Sequence, residues 1–575
     1  MLIMQIIQFV LILQLCSQGL ALNIRRFSST KNFILFQYLP SQSSAQNCKS
    51  NEKRWKSTKL NDNNKASNTV SLETNNIWEI PEKADLSITP QSGLSEIFEV
   101  MRGTSNSIIS NDIFQNQIFT IQNTGKELLQ EAGIPRLKDE AWRHTNIRKL
   151  FPQPFLKREN LLSSASKELI VENLIQSHLI DSSCKSSYIV FIDGHYYRTV
   201  SENSDVKILH NYSQLSESDI DLWTEQITYS PDVKELPRDS FASNLLTYLN
   251  MANIEDIAIV DVPTDTILHD AVQVLFVNTV PTTATAPTAS YPKLLIRVGD
   301  NSQLKLKQSF VSVVAGESCS IIEQVDAEAE NSVIDNLVVS NTRILMGKNA
   351  KLDHTYTQEL SGATRHLEVL SASIMGNSSY DAVVVQSGGL IGRLNAHIDL
   401  KEPNANCSLN AVTLAGKGQS LDMHSSIVHD TPSAKSEQNQ RNVVGERGEA
   451  IFKGRIRIPK HAQLTDSAQL CRSIMLGDRA RVIAMPTLEI TADNIVCSHG
   501  ASVADLDENS MFYLSARGVN RKEARKLLLR GFVFDMLLEG IMDKASSERI
   551  VRKLEALSPS EEKVPALSGQ NFMSI

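Results

Sequence analysis

A chain of 575 residues is longer than one hydrophobic core usually organises, so more than one structural unit is expected. With 41% hydrophobic and 21% charged residues it has the composition of an ordinary soluble protein, and a net charge of -8 argues against a nucleic-acid partner. Its seven cysteines (Cys16, Cys48, Cys184, Cys319, Cys407, Cys471, Cys497) are scattered without a CxxC pair, which fits neither a disulfide framework nor a self-contained zinc site and points to a reducing compartment.

The N-terminus reads as two addresses in series. Ile3 to Leu15 is almost continuously apolar but too short to span a bilayer, and the small-x-small run Gly19-Leu20-Ala21 suits signal-peptide cleavage, although no Lys or Arg precedes it. From Leu22 to Asn51 the chain carries Arg25, Arg26, Lys31 and Lys49, many serines and no acidic residue, which is transit-peptide composition. Asn51 to Asn76 is rich in Asn, Lys and Ser and is expected to be a disordered linker. A signal peptide over 1–21 and a transit peptide with linker over 22–76 resemble the bipartite leader of proteins sent to plastids wrapped in extra membranes. No stable membrane insertion is expected; the plainer alternative is a secreted protein with a disordered start.

Residues 77–253 are expected to be mostly helical, because apolar residues recur at helical spacing in Lys126–Ala132 and Leu161–Ile175, with a break at Gly133-Ile134-Pro135. Tyr188–Ile192 looks like a strand that ends in the turn Asp193-Gly194 and resumes at Tyr196-Tyr197, as a hairpin would.

From about Ile254 to Ser502 the texture changes to short alternating segments rich in β-branched residues, such as Leu294–Val298, Ile451–Ile458 and Thr487–Ala492. A pattern repeats there: Gly or Pro, two residues, a small residue, one residue, then an apolar one. It runs over Gly299–Leu304, Gly316–Ile321, Gly347–Leu352, Pro459–Leu464 and Gly477–Val482, with weaker copies from Gly376 and Pro403. A tight turn, a small residue inside the corner and an inward apolar side chain are what each rung of a parallel β-helix requires, so residues 254–504 are expected to form one. The competing architecture is a β-sandwich, whose hairpins would favour Asn-Gly or Asp-Gly pairs, and few occur.

Residues 505–575 return to helical periodicity. Asn520 with Glu523 makes a capping-box-like start, followed by Ala524, Leu527, Leu528, Phe532, Phe534 and Met536, and a second helix runs through Ile550 to Leu557. Arg521, Lys522, Arg525, Lys526 and Arg530 crowd the first of these helices, either as a solvated face or as part of a docking helix.

The common nucleotide-loop, zinc-protease and hydrolase motifs are missing, so the best chemical candidate is Cys497-Ser498-His499. Cys and His at i and i+2 of a strand point to one side and offer two ligands, whereas a closed metal site usually needs four, so a partner chain or further residues must contribute. Cys471, 26 residues earlier and close to one coil of the repeat, is expected to stack near Cys497 if both share a face. A buried cysteine and a structural histidine are the plain alternative.

The ordered blocks Thr465–Gln469, Ser473–Leu476, Leu488–Asp493, Cys497–Ala501, Asp505–Glu508 and Phe512–Gly518 resemble the C-terminal signature of the SufB/SufD family of iron-sulfur cluster assembly scaffolds. Gly388-Gly389 with Arg393–Asn395, Cys407–Ala411, Phe452–Ile456 and Asp139–Thr145 resemble further family blocks, giving coverage of roughly Gly133 to Ile541. Cys-Ser-His-Gly-Ala is similar to the SufD side of the family, with Gly500 where SufB carries a glutamate. Cys471 stands at or near an essential SufB cysteine, which leaves its part in sulfur handling open.

The resemblance implies a right-handed parallel β-helix flanked by helical regions, paired with SufB, with the C-terminal helices binding the SufC ATPase. It implies a scaffold without catalysis of its own, ATP hydrolysis belonging to SufC. It places His499 and perhaps Cys497 at an interface that admits iron or a transient iron-sulfur cluster shared with SufB, none being permanently held by this chain alone. It makes the helix bearing Arg521, Arg525, Leu528 and Phe532 the SufC dock. A SufB-like subunit, a β-helical carbohydrate-active enzyme and a plain structural solenoid are the alternatives.

Overall fold

The computed structural model describes residues 113–132, 142–145, 147–152, 155–158, 162–176, 187–200, 209–212, 217–230, 243–281, 287–315, 336–537 and 544–557. The leader and linker expectations for residues 1–76, the break at 133–135 and the repeat copy at 316–321 lie outside them.

The described N-terminal region holds the helices α1 (Ile113–Ala132), α2 (Ile147–Leu150), α3 (Ser164–Gln176), α4 (Glu217–Thr228) and α5 (Ser243–Asn253). It also holds the strands β1 (Leu156–Lys157), β2 (Tyr188–Ile192), β3 (His195–Val200) and β4 (Leu209–Asn211). β2 and β3 form the expected antiparallel hairpin. Its turn needs left-handed backbone at Asp193 (φ 54°) and Gly194 (φ 89°), which Asp tolerates and Gly adopts without cost. The mostly helical reading missed that this hairpin and β4 continue the sheets of the next region, β2 in parallel with β6 and β4 antiparallel to β5.

The strands that follow are β5 (Ala258–Val262), β6 (Val272–Pro281), β7 (Thr288–Ser290), β8 (Lys293–Val298), β9 (Gln303–Ala315), β10 (Asn336–Met346), β11 (Lys351–Glu359), β12 (Thr364–Ile374) and β13 (Ser379–Gln386). Next come β14 (Ile391–Leu400), β15 (Asn406–Ala415), β16 (Ser420–His429), β17 (Lys435–Val444), β18 (Glu449–Ile458), β19 (Asp466–Met475), β20 (Arg481–Ile490) and β21 (Val496–Ala504). Even-numbered strands from β8 onward stack in one sheet and odd-numbered strands from β9 in the other, every neighbour parallel. Alternate strands belonging to two different sheets, all in parallel, define a β-solenoid of about 7 turns and exclude a sandwich of hairpins. Three helices follow: α6 (Glu508–Ser515), α7 (Arg521–Leu537) and α8 (Lys544–Ala556).

One corner repeats a left-handed residue in seven successive rungs, short of the last: Asp265, Asn301, Asn349, Asn377, Asn404, Ser433 and Leu464, with φ between 54° and 61°. Asn and Asp tolerate this conformation, and their side chains add a ladder: Asn301 Nδ2 donates to Asp265 Oδ1 (2.8 Å), Asn349 to Asn301 (2.9 Å) and Asn404 to Asn377 (3.0 Å). The enclosed residue after each turn is small, as in Ser302, Ala350, Ser378, Ala405 and Ala434. The expected inward apolar residues Leu304 and Leu352 are buried.

The copy at Pro459–Leu464 departs from the pattern, because the link from 458 to 466 is longer than that from 346 to 351 and carries Leu464 out to 60% exposure. Gly477 turns the opposite corner, between β19 and β20, so the sequence pattern mixed two kinds of turn. A branched side chain held at positive φ in water costs about 1–2 kcal/mol. Leu464→Asn is therefore expected to raise stability by about 1 kcal/mol, read as a higher midpoint in urea; a lowered midpoint would contradict the account.

Both sheets are covered on their outer faces, as parallel sheets require. Leu129 of α1 and Leu245, Leu246 and Leu249 of α5 pack with Leu337, Val339, Leu367 and Val369 of the first sheet. Gly125 allows α1 to touch α5, since a Cβ there would lie 2.6 Å from the Ala252 backbone nitrogen. On the second sheet, Ile170, Val171 and Leu174 of α3 cover β2, β6 and β9, and α7 and α8 cover Val385, Leu414, Val443 and Ile474. The block containing Trp142 and Thr145 clamps the outer side of β14, where the Arg393 guanidinium lies 4.5 Å from the Trp142 ring and Nη1 donates to Thr145 Oγ1 (3.1 Å). Two segments singled out separately in the sequence thus meet in space.

Candidate functional site

The start of the solenoid is closed by β2, β3 and β4, and among the described residues the far end stops at β20 and β21 with no further strand on either. Each inward column of the second sheet can be followed to that end by its register. One column runs His354, Ala382, Leu409, Gln438, Gln469, His499; the next runs Tyr356, Val384, Ala411, Gln440, Cys471, Ala501. The column beginning at Leu352 passes through Tyr380, Cys407, Ser436 and Ser467 to Cys497. Cys497 and His499 therefore stand on the inward side of the last rung, above enclosed residues. With no rung above them, Cys497 is half-buried and His499 is exposed.

Cys471 shares that inward side but pairs with Ala501, not Cys497. The offset of four residues places it about 13 Å along the strand from the Cys497 position, so the expected stacking of the two sulfurs does not occur. The Cys471 thiol is pushed up to about 11 by burial, against hydrogen bonds with Ser473 and Asn442, and stays protonated at neutral pH. Cys497 is raised in the same direction by its partial burial, with Ser467 opposing.

Below the mouth the interior is polar where a solenoid core is ordinarily apolar. Gln469 Nε2 donates to Gln438 Oε1 (2.8 Å), Gln438 to Ser425 (2.6 Å), and Gln440 to Asn442 (2.7 Å), while Asn442 reaches the Cys471 sulfur at 3.6 Å. Gly454 makes room for this network, since a Cβ there would lie 2.2 Å from Gln469 Nε2. Gln469 Oε1 and Gln440 Oε1 are buried without a hydrogen-bond partner. Sequence periodicity read these strands as β but gave no sign that their inward positions are amides. Deeper in the interior Glu368 is wholly buried and pushed up to about 7 by that burial, against hydrogen bonds from Ser340 and Thr342.

Among the described residues no group of three or more His, Cys, Asp or Glu is arranged to hold a metal ion. Cys497 and His499 together offer two soft side chains at the open end, fewer than the four ligands a closed metal site uses.

The C-terminal helices divide the proposed docking residues. Asn520 caps α7 by accepting from the Glu523 backbone nitrogen (2.8 Å). Arg521 is exposed and paired with Glu508 (2.7 Å), and Arg525 and Leu528 are half-buried. Phe532 turns toward the solenoid, where the Arg441 guanidinium lies 5.3 Å from its ring. The outward apolar surface belongs instead to Phe512 on α6, 75% exposed, and Leu527 on α7, 37% exposed. Lys526 and Arg530 both pair with Glu555 of α8, so part of the basic run is neutralised within the chain. No helix among the described residues is long and apolar enough to cross a membrane.

The fold is thus a two-sheet scaffold with one closed end and one thiol-imidazole mouth, and residues 282–532 match the family model described as SUF system FeS cluster assembly, SufBD core domain. An iron-sulfur cluster assembly SufBD family protein of Synechocystis is 27% identical over 442 residues, 76% of this chain and 89% of the relative. The chloroplastic protein ABCI7 of Arabidopsis thaliana is 27% identical over 460 residues, 78% and 88% of the two chains. The iron-sulfur cluster assembly protein SufD of Escherichia coli is 23% identical over 443 residues, 74% and 90%. The chain thus carries a SufBD core domain and is similar over about three quarters of its length to SufB/SufD-type iron-sulfur cluster assembly proteins, SufD of Escherichia coli among them.

Proposed function

We propose that the chain is the non-catalytic scaffold subunit of a SUF assembly complex, pairing with SufB through its open end and binding the SufC ATPase through α6 and α7. The observation that carries this reading is the last rung, where Cys497 and His499 face outward from the interior beside two unpaired strand edges. Unpaired edges recruit another sheet, and two soft ligands need a second chain to complete a site. Iron or a nascent cluster is the cargo at that interface, shared with SufB and not retained by this chain. ATP hydrolysis in SufC supplies the energy. The name of the chloroplastic relative and the transit-peptide composition of residues 22–51 support the stroma of a plastid as the site of action.

Co-expression with SufB and SufC of the same organism, followed by anaerobic purification, tests the reading. The expected product holds SufB, SufC and this chain in a ratio of one to two to one, with bound iron and sulfide. His499→Ala should keep that stoichiometry and lose most of the iron. Failure to associate with either partner would overturn the scaffold reading, and full iron loading of His499→Ala would remove His499 from the site.

A further inference from the structure

Helix α8 runs along the solenoid and is tied to it rung by rung. Lys307 on β9 donates to Ser546 (3.1 Å), Arg549 and Lys553 hold the Glu359 carboxylate at the end of β11 (3.5 and 3.0 Å), and Lys553 reaches Ser387 just after β13 (3.4 Å). Beyond these, Leu557 lies over the corners after β15 and β17, where a Cβ on Gly416 or Gly445 would come within 3.2 or 3.3 Å of it. A helix of this length reaches about 20 Å at about 1.5 Å per residue, and four strand spacings of about 4.8 Å come to about 19 Å. One helix therefore bridges the stack from β9 to β17.

The apolar contact is carried by Ile550 and Leu554, which are fully buried against the second sheet. The polar contact is centred on Glu359, itself buried. Burial pushes its carboxyl up, but Lys553 and then Arg549 overcome that and hold it below the usual carboxylate range, so it is ionised at neutral pH. At its other side α8 takes Lys526 and Arg530 of α7 on Glu555, while α7 is bound to β17 by Arg441, which donates to Asp535 (2.8 Å). These ties end short of the last rung, β20 and β21.

We propose that α8 is a splint, with Glu359 as the positioning residue that fastens it, so that a pull on α6 and α7 moves the rungs from β9 to β17 as one body and is delivered to the last rung. The proposal rests on the reading of α6 and α7 as the ATPase dock, and adds which part of the solenoid is stiffened and which yields. Removing one carboxylate leaves two like charges facing each other in a buried site, which favours release of the helix.

The test uses the assembled complex with SufB and SufC and the variants Glu359→Gln and Lys553→Gln. Two quantities are read: hydrogen exchange across residues 544–557, and alkylation of Cys497, followed by mass spectrometry of its peptide, with and without ATP. In the parent complex ATP should speed Cys497 alkylation severalfold. In both variants exchange in 544–557 should rise at least tenfold and the ATP effect on Cys497 should disappear, with stoichiometry and ATP hydrolysis unchanged. A merely structural role would loosen α8 yet leave the ATP effect, and that result overturns the proposal, as does a parent complex whose Cys497 ignores ATP. Failure of the parent complex to assemble would instead sink the dock reading and the splint with it, so the two failures are told apart by the first purification.

Discussion

Arg393→Ala is expected to lower the stability of the chain by about 3–5 kcal/mol, the cost of removing one partner from a buried charged network. Arg393 is 1% exposed on the outer side of β14. Its Nε donates to Asn395 Oδ1 (3.0 Å), its Nη2 meets His424 Nδ1 (3.2 Å) and Trp142 covers its plane. Asp422 is fully buried alongside. Burial pushes its carboxyl up, but His424 and then the Arg393 charge hold it below its ordinary range. His424 is itself driven down to about 4 by burial, so it is neutral at pH 7 and does not replace the missing charge. The measurement is urea unfolding followed by circular dichroism. A loss under about 1 kcal/mol would show that the clamp between the Trp142 segment and the first sheet carries little of the fold. Arg393→Lys should recover only part of the loss, because an ammonium cannot reproduce the planar fork or the ring stacking.

Phe512→Ala should have the opposite signature. The side chain is 75% exposed, so its removal should change stability by less than about 0.5 kcal/mol. If α6 and α7 receive the ATPase, an exposed aromatic there is the natural anchor, and truncation should cost about 2 kcal/mol or more of binding, roughly a thirtyfold rise in Kd. Phe532→Ala makes the informative contrast. It packs on Arg441 and the solenoid, so it should destabilise the chain and weaken partner binding only as far as α7 loosens. Titration calorimetry with the purified ATPase separates the two. An unchanged Kd for Phe512→Ala would move the dock away from α6.

The solenoid was legible because its corners repeat: Gly299 and Gly347 lead into an αL asparagine, an enclosed small residue and an inward leucine, and that order is written in the chain. Spacing alone does not separate the two corners: Gly477 follows the same pattern on the other side, and Leu464 stands where the pattern puts an inward residue. The strands β1 and β4 were illegible for another reason. They are short, and what makes them strands is pairing with distant residues, Leu156 with Thr288 and Leu209 with Val260. At the mouth, the common side of Cys497 and His499 follows from strand alternation. The position of Cys471 needed the register of β19 against β21, which no local pattern encodes. The inward turn of Phe532 depends on which face α7 lays on the second sheet, where it packs with Val385, Leu414 and Val443, far upstream.

The open last rung also bears on how much of this protein a cell can hold. β20 and β21 leave two rows of backbone donors and acceptors in water, flanked by exposed Ile490, Val496 and Val503. Such edges pair with whatever extended chain they meet, including another copy of themselves. Molecules made in excess of their partner are therefore expected to enter aggregates or be cleared by proteolysis, so the abundance of this subunit should follow that of the chain that covers its mouth, whatever the rate of its own synthesis.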